Sequence, residues 1–391
     1  MKRSLKYAGT KMFLTLVMCG MLAVGTNAKA DTVIKAEPAT TENKLETTET
    51  TETTETTETT ETTETITEET TEETIIYGWD DSKTSYYKNG KKVTGITKID
   101  GRLYYFNNSG KLYKKKGLQT INGKRYYFQK NYTLKTGVVK IKGKSYYFQK
   151  TNGARVEKKG VKKVDGKYYC FTSTYSLKTG WYRDSKKKRY YFNKKNFEAL
   201  TGWNYVGKYK YYFNKKGQLQ QDVRKKLSKK QKSSYVIKVN RTASCVTVYA
   251  KDGTKGYTIP VVAFVCSAGN ATPTGTFTIR DKLRWHELMG PSWGQWCEHL
   301  TDDILFHSVY YNKERDNRSL SVSAYNKLGT MASHGCVRLT AGDAKWIYDN
   351  CKIGTKVIIY NNKKNPGPFD KPKAQKLSSS HTWDPTDPTI K

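Results

Sequence analysis

Between residues 77 and 222 the apolar positions recur in blocks instead of along a helical stripe. Gly95, Gly117, Gly137, Gly160, Gly180 and Gly202 open successive units at spacings of 20 to 23 residues. About ten positions after each comes an aromatic cluster: Tyr104-Tyr105-Phe106, Tyr126-Tyr127-Phe128, Tyr146-Tyr147-Phe148, Tyr168-Tyr169-Cys170-Phe171, Tyr190-Tyr191-Phe192 and Tyr211-Tyr212-Phe213. Between glycine and cluster lies a turn pair, as in Asp100-Gly101, Asn122-Gly123 and Asp165-Gly166. Such pairs between apolar flanks predict hairpins. One hairpin per unit at a period near 21 predicts a β-solenoid of about six stacked units over 77–222, since one unit cannot bury its aromatics alone. A basic polar linker, 223–233, follows. From 234 the pattern becomes β-branched runs, Tyr235–Asn240, Cys245–Ala250 and Tyr257–Cys266, then Thr276–Arg280 with Phe277 and Ile279 on one face. These predict strands of a compact β-rich domain over 234–361. Thr340 with Asp343 three residues on is a capping pattern, and Ala344, Ile347 and Cys351 give the ensuing helix an apolar face. Gly354 ends that element and Lys356–Tyr360 returns as a strand. The fold class is therefore mainly β, with few helices. A Pro-, Ser- and Asp-rich tail, 362–391, is expected to wrap the surface or stay disordered.

The first 76 residues read differently. Lys2, Arg3, Lys6 and Lys11 precede an apolar run from Met12 to about Thr26, and Ala28-Lys29-Ala30 supplies small residues where a signal peptidase cuts. Residues 1–30 are expected to be a secretory signal peptide, too short in its apolar part to span a bilayer comfortably. No later segment has the apolar length of a span, so no membrane span is expected after cleavage. Thr40 to Thr74 is nearly a Thr-Thr-Glu repeat without aromatics. Over 31–76 it reads as a solvated acidic stalk, with too little apolar surface to offset ordering entropy.

Charge sharpens this division. The chain has 391 residues, 70 Lys+Arg and 35 Asp+Glu, formally +35. Residues 1–30 hold five basic residues and no acid, and 31–76 hold one Asp and 13 Glu against two Lys, so residues 77–391 carry +42. A body this basic implies a polyanionic setting. Secretion removes most of the case for nucleic acid and leaves an anionic cell wall. Thirty Tyr against nine Pro exclude a collagen-like or wholly disordered chain. Cys170, Cys245, Cys266, Cys297 and Cys351 read as small buried apolar residues or one optional bridge.

The candidate chemistry lies in Ser333-His334-Gly335-Cys336-Val337-Arg338-Leu339. Cys336 is placed just ahead of a helix start. Its dipole, Arg338 and a nearby imidazole are expected to lower the thiol pKa. Gly335 permits tight backbone geometry, with amides around Gly335 and Cys336 available to an oxyanion. A nucleophilic cysteine needs a base. His307, in Ile304-Leu305-Phe306-His307-Ser308, follows an apolar run that reads as a buried strand end, able to hold an imidazole rigidly. Residues 285–300 do not make a metal site: position 290 is Gly where a second His would follow His286-Glu287, and Cys297-x-His299 lacks a partner pair. An aromatic loop over the cleft is expected there instead, and no cofactor.

The His-Ser pair followed by Ser-His-Gly-Cys-x-Arg-Leu resembles the active-site signature of the L,D-transpeptidases, the YkuD-type catalytic domain. Thr272-Pro273-Thr274-Gly275-Thr276-Phe277 is similar to that family's Pro-Thr-Gly-x-Phe segment, and the likeness covers roughly Tyr235–Tyr360. The resemblance implies a mostly β sandwich with the site at one end, and an extracellular enzyme of peptidoglycan. Carried over by position, Cys336 is the nucleophile, His307 the base, and the Ser308 carbonyl orients the imidazole. Backbone amides at His334, Gly335 and Cys336 form the oxyanion hole, and Ser333, His334 and Arg338 line the substrate pocket. It further implies 3→3 cross-linking of tetrapeptide stems, L,D-carboxypeptidase activity when water replaces the acceptor, and acylation by carbapenems. Many members carry Asn in place of Arg338. The span from His307 to Ser333 is longer than usual, and the insertion, roughly 310–327, is expected to form a lid or hairpin beside the cleft. The repeats resemble cell-wall- or glucan-binding repeats. Only Trp79, Trp181 and Trp203 follow an opening Gly, with Ile96, Leu118, Val138 and Val161 elsewhere. Most choline-type aromatic cages therefore lack a wall, and a glycan or teichoic-acid-type polymer is the expected ligand. The alternative is a wall-anchored adhesin with a non-reacting C-terminal domain.

Overall fold

The computed structural model describes residues 77–390. The signal peptide and acidic stalk expected over 1–76 lie outside the described residues.

Six hairpins follow the periodic pattern: 95–106, 117–128, 137–148, 160–171, 180–192 and 202–213. In every one the opening glycine pairs with the closing phenylalanine, from Gly95 with Phe106 to Gly202 with Phe213. Those six phenylalanines are buried and form the spine of the array. The turn residues Asp100-Gly101, Asn122-Gly123, Lys142-Gly143 and Asp165-Gly166 all have positive φ. That is the type I′ geometry which matches strand twist. After each hairpin the chain makes one more bridge to the closing phenylalanine, then bonds the preceding unit. The N–H groups of Leu112, Leu134, Arg155, Leu177, Ala199 and Leu219 donate to carbonyls of Thr84, Leu103, Arg125, Ser145, Tyr168 and Arg189 at 2.6–2.8 Å. The stack is thus continuous in main-chain hydrogen bonds as well as in aromatic packing. A further short unit, Gly78–Trp79 with Tyr86–Lys88 and Lys91–Lys92, precedes the six expected.

The C-terminal domain holds two sheets. The first contains β1 (Tyr235–Asn240), β2 (Cys245–Ala250), β3 (Ile259–Val265), β4 (Gly275–Thr278) and β9 (Lys356–Tyr360), in the order β3-β2-β1-β9-β4. Here β1 and β9 run parallel and the other pairs antiparallel. The second contains β5 (Leu283–Leu288), β6 (Ser292–His299), β7 (Leu305–Ser308) and β8 (Val337–Leu339) in sequence order, with β7 and β8 parallel. Helix α1 (Ala341–Asn350) lies between β8 and β9 in the chain, and its Ala344 and Ile347 join the core with Ile237, Val248, Phe264, Phe306 and Val337.

The stretch 223–233 is not a free linker. Val223 and Leu227 are buried in that core, Val223 N–H donates to Val261 O at 2.9 Å, and Ser228 caps a helical turn at Lys229–Lys232. The last repeat also joins the domain directly. Tyr205 Oη donates to Asp252 Oδ2 at 2.5 Å, and Lys210 pairs with the same carboxylate at 3.1 Å. The tail is ordered against the body, with Phe369, Asp384 and Asp387 buried. Cys170, Cys245, Cys266, Cys297 and Cys351 are buried and unbridged.

Candidate active site

Strands β7 and β8 pair in parallel with Phe306 opposite Val337 and His307 opposite Arg338. Cys336, one residue before β8, therefore falls beside Leu305, two positions before His307 on the neighbouring strand. His307, Ser333, His334, Gly335, Cys336 and Arg338 line one cleft of about 610 Å³. Ser308 does not line it. Its side chain is buried behind the strand, accepting from Gln295 N–H at 3.0 Å and donating to Val309 O at 2.9 Å.

His307 is 2% exposed, and its Nδ1 lies 2.6 Å from the Ser308 carbonyl. A carbonyl only accepts, so Nδ1 carries the hydrogen and Nε2 keeps a free lone pair. Burial pushes the His307 pKa down to about 3, helped by the positive charge of Arg338 and opposed by the Ser308 bond. Cys336 is half-buried and its Sγ lies 3.5 Å from Asp303 O. Burial moves its thiol above the ordinary value, outweighing a backbone hydrogen bond and the Arg338 charge. The resting pair is therefore neutral thiol and neutral imidazole, where the sequence led us to expect a lowered thiol pKa. Burial is the reason, and α1 is not placed to offset it. Strand β8 separates Cys336 from the helix, and the first helical N–H groups are taken: Ala341 N–H by Asp384 Oδ2 at 2.7 Å, Gly342 N–H by Thr386 Oγ1 at 2.9 Å and Asp343 N–H by Thr340 Oγ1 at 3.2 Å.

The loop carrying Cys336 is clamped from one side by residues 269–272. Thr272 Oγ1 donates to Gly335 O at 2.5 Å, and Ala271 N–H to His334 O at 3.3 Å. Thr272 is completely buried. Because trans peptides set C=O and N–H in opposite directions, the N–H groups of Gly335 and Cys336 point away from that clamp. Ser333 Oγ closes the loop on itself by donating to Cys336 O at 2.6 Å. Arg338 Cζ stands 5.1 Å from the Tyr310 ring centroid and its Nη1 donates to Ala332 O at 3.0 Å, while buried Nε has no partner among the described residues.

Residues 285–300 form the β5–β6 hairpin, with Met289 78% exposed at its tip and Glu287 to Ser292 along the cleft. This hairpin overhangs the site where an aromatic loop was expected. The insertion after His307 is no free lid. Tyr311 bridges to Trp293 and to Leu320, and Tyr311, Leu320, Ala324 and Tyr325 make a second small core, leaving Tyr310 and Asn312 on the cleft. His286 lies on the cleft wall, within the stretch expected over the cleft, whereas the Thr272 clamp was missed. Thr272 was visible inside Thr-Pro-Thr-Gly-Thr-Phe, but nothing local says what its hydroxyl reaches.

Three aromatic groupings in the repeats bear on ligand binding. Trp79 meets Tyr86 and Tyr104 edge-on at 5.4 and 5.2 Å. Trp181 meets Tyr191 and Tyr211, each at 5.3 Å. The guanidinium of Arg189 sits 4.6 Å from the Trp181 ring centroid, supplying a cation to that cage from the chain itself. Trp203 packs on Tyr212 and against the core of the C-terminal domain.

Comparison with known proteins agrees with both halves. The L,D-transpeptidase catalytic domain family (YkuD) matches residues 234–359. The choline-binding repeat matches 115–159 and the "Putative cell wall binding repeat" 97–112. The protein named "Putative L,D-transpeptidase YciB" of Bacillus subtilis (strain 168) is 43% identical over 96 residues, 23% of this chain and 47% of that protein. The chain thus spans about half the length of this relative. Among solved structures, choline binding protein F of Streptococcus pneumoniae is 33% identical, covering 34% of this chain and 45% of that one at a TM-score of 0.26. The transpeptidase LdtMt1 in complex with imipenem is 18% identical, covering 32% and 59%, also at 0.26. Scores this low carry nothing about overall architecture, which rests on the strand register above. Residues 234–359 are thus similar to the L,D-transpeptidase catalytic domain of the YkuD type, and the segment before them is similar to repeats of the choline-binding, cell-wall-binding kind.

Proposed function

We propose that this protein is a secreted, wall-held cysteine acyltransferase that exchanges peptide bonds in peptidoglycan stems, forming 3→3 cross-links from tetrapeptide donors. The observation that carries the reading is the convergence of half-buried Cys336 and the Nδ1-protonated His307 on one cleft, from two neighbouring parallel strands.

The neutral resting pair shapes the chemistry. As Cys336 Sγ attacks the carbonyl of the third, L-centred residue, its proton passes to His307 Nε2, so charge appears only as the carbon–sulfur bond forms. The oxyanion develops against the N–H groups of Gly335 and Cys336, held turned from the Thr272 clamp. Collapse breaks the peptide bond and the imidazolium returns its proton to the departing D-Ala amine, leaving a thioester. The side-chain amine of a second stem then attacks that carbonyl, His307 takes its proton, and the sulfur leaves and is reprotonated. One peptide bond is made for one broken, so no nucleotide is consumed. Water in place of the amine gives the L,D-carboxypeptidase outcome. Arg338, braced on Tyr310, suits a stem carboxylate. Carbapenem acylation of Cys336 is the corresponding expectation for inhibitors.

For the repeats, the lysine-rich surface favours a glycan or teichoic-acid-type polymer over choline, because the Trp181 cage already holds Arg189. The test of the whole reading is incubation with disaccharide tetrapeptide, followed by mass spectrometry. Cross-linked dimer with release of D-Ala is expected, and tripeptide alone would make the protein a hydrolase. Dimer formed equally by a Cys336→Ala protein would refute it, leaving the adhesin reading.

A further inference from the structure

The C-terminal tail contains a tandem Asp384-Pro385-Thr386-Asp387-Pro388-Thr389 that plays no part in the chemistry above. Both aspartates are buried, at 0% and 4% exposure. Each uses Oδ1 to build its own turn: Asp384 accepts from Thr386 N–H and Oγ1 at 2.8 and 2.7 Å, and Asp387 from Thr389 N–H and Oγ1 at 2.9 and 2.7 Å. Each then extends Oδ2 into the catalytic domain. Asp384 takes the first N–H of α1, and Asp387 accepts from Gln295 Nε2 at 2.7 Å.

Gln295 is the hub this reaches. It is completely buried in β6, its Oε1 accepts from Arg284 Nη1 at 2.8 Å, and its Nε2 also donates to Tyr311 Oη at 2.6 Å. Its backbone N–H donates to Ser308 Oγ at 3.0 Å, and the Ser308 carbonyl receives His307 Nδ1. The adjoining Gly294 comes so near that a Cβ there would lie 3.2 Å from His307 Nδ1 and Cβ. From Asp387 to the imidazole there is thus a path of hydrogen bonds and covalent links with no solvent gap. At the tail's near end, Asp370 binds Arg183, Arg189 and Gln221 of the repeat side, and Lys371 donates to Gly329 O.

We propose that the tail is a positioning strap for the active site, with Asp387 fixing His307 through Gln295 and Ser308, and Asp384 fixing the start of α1 beyond Cys336. This rests on the reading of Cys336 and His307 above. Asp387 is a positioning residue: it touches neither substrate nor the reacting atoms.

The full chain is tested with disaccharide tetrapeptide, at a temperature well below each variant's melting point. Asp387→Ala is expected to lower kcat about tenfold to a hundredfold while KM stays within about twofold, as for a misplaced catalytic group. Asp387→Asn, which keeps an acceptor oxygen for the Gln295 amide, is expected to restore most of the rate. A folded Asp387→Ala protein with wild-type kcat overturns the proposal, and so does a loss that Asp387→Asn does not mend and that raises KM in step. Should Asp387→Ala fail to fold, Thr389→Ala decides: losing one of the two bonds that orient Asp387 is expected to lower kcat about threefold or more, and an unchanged kcat overturns the strap. A Cys336→Ala control that still releases D-Ala refutes the underlying chemistry, whereas an inactive control beside a normal Asp387→Ala refutes the strap alone.

Discussion

Gly269 offers a severe test of how the Cys336 loop is held. It does not have positive φ, so alanine suits its backbone; the difficulty is space. A Cβ built there stands 2.1 Å from Ser333 O, 2.3 Å from His334 O and 2.7 Å from the His334 carbonyl carbon. All three are main-chain atoms of the loop ending at Cys336, and they cannot rotate aside as a side chain would. Restoring an ordinary contact of roughly 3 Å requires about 1 Å of backbone movement. Gly269 is itself anchored, its N–H donating to Thr272 Oγ1 at 2.8 Å and its carbonyl accepting from Thr272 N–H at 3.2 Å, so the shift falls largely on Ser333–Gly335. Overpacking of this kind costs about 1–3 kcal/mol, and displacing the nucleophile by about 1 Å lowers the rate on the order of a hundredfold. Gly269→Ala in the full chain should therefore lower the guanidinium midpoint and depress kcat for D-Ala release by roughly two orders of magnitude. A variant with the wild-type midpoint and kcat would show that the loop is not wedged between Gly269 and the cleft, and the clamp argument would fail with it.

Three further outcomes follow from particular groups. With the His307 pKa near 3, kcat/KM should stay flat on the acid side until well below the ordinary histidine range; an acid limb near 6.5, measured by D-Ala release across pH, would contradict the neutral pair. Glu298 is completely buried; neither carboxylate oxygen has a hydrogen bond among the described residues, Lys282 Nζ lies 3.9 Å from Oε1, and burial outweighs that charge to hold its pKa well above the usual carboxylate range. The folded state keeps that proton after the unfolded chain has released its own near pH 4.5, so this group's contribution falls as pH rises from there. Glu298→Gln should remove that decline, seen by denaturant melts from pH 4 to 8; parallel curves would refute it. Arg189→Ala removes the guanidinium on Trp181 together with its bond to Pro368 O, and should cost about 1–2 kcal/mol in denaturant unfolding. An unchanged midpoint would mean that the cage and tail are not joined through it.

Much of this protein is decided locally. Asp-Gly and Asn-Gly pairs fix type I′ turns, a glycine spaced from Tyr-Tyr-Phe fixes each hairpin, and six such units can stack in one way because each aromatic needs the next unit to cover it. The heptad around Cys336 and the His307-Ser308 pair single out the candidate reacting groups because each sits in a short local motif, whereas their meeting depends on the pairing of β7 with β8. Tertiary structure decided what depends on residues far apart. The protonation state of Cys336 and His307 follows from their burial, which only the packed domain supplies. The Thr272 clamp on Gly335 spans 63 positions, and the contact from Asp387 to Gln295 spans 92. A tail composed like a disordered segment became part of the fold because its two aspartates found buried donors that no reading of neighbouring residues could supply.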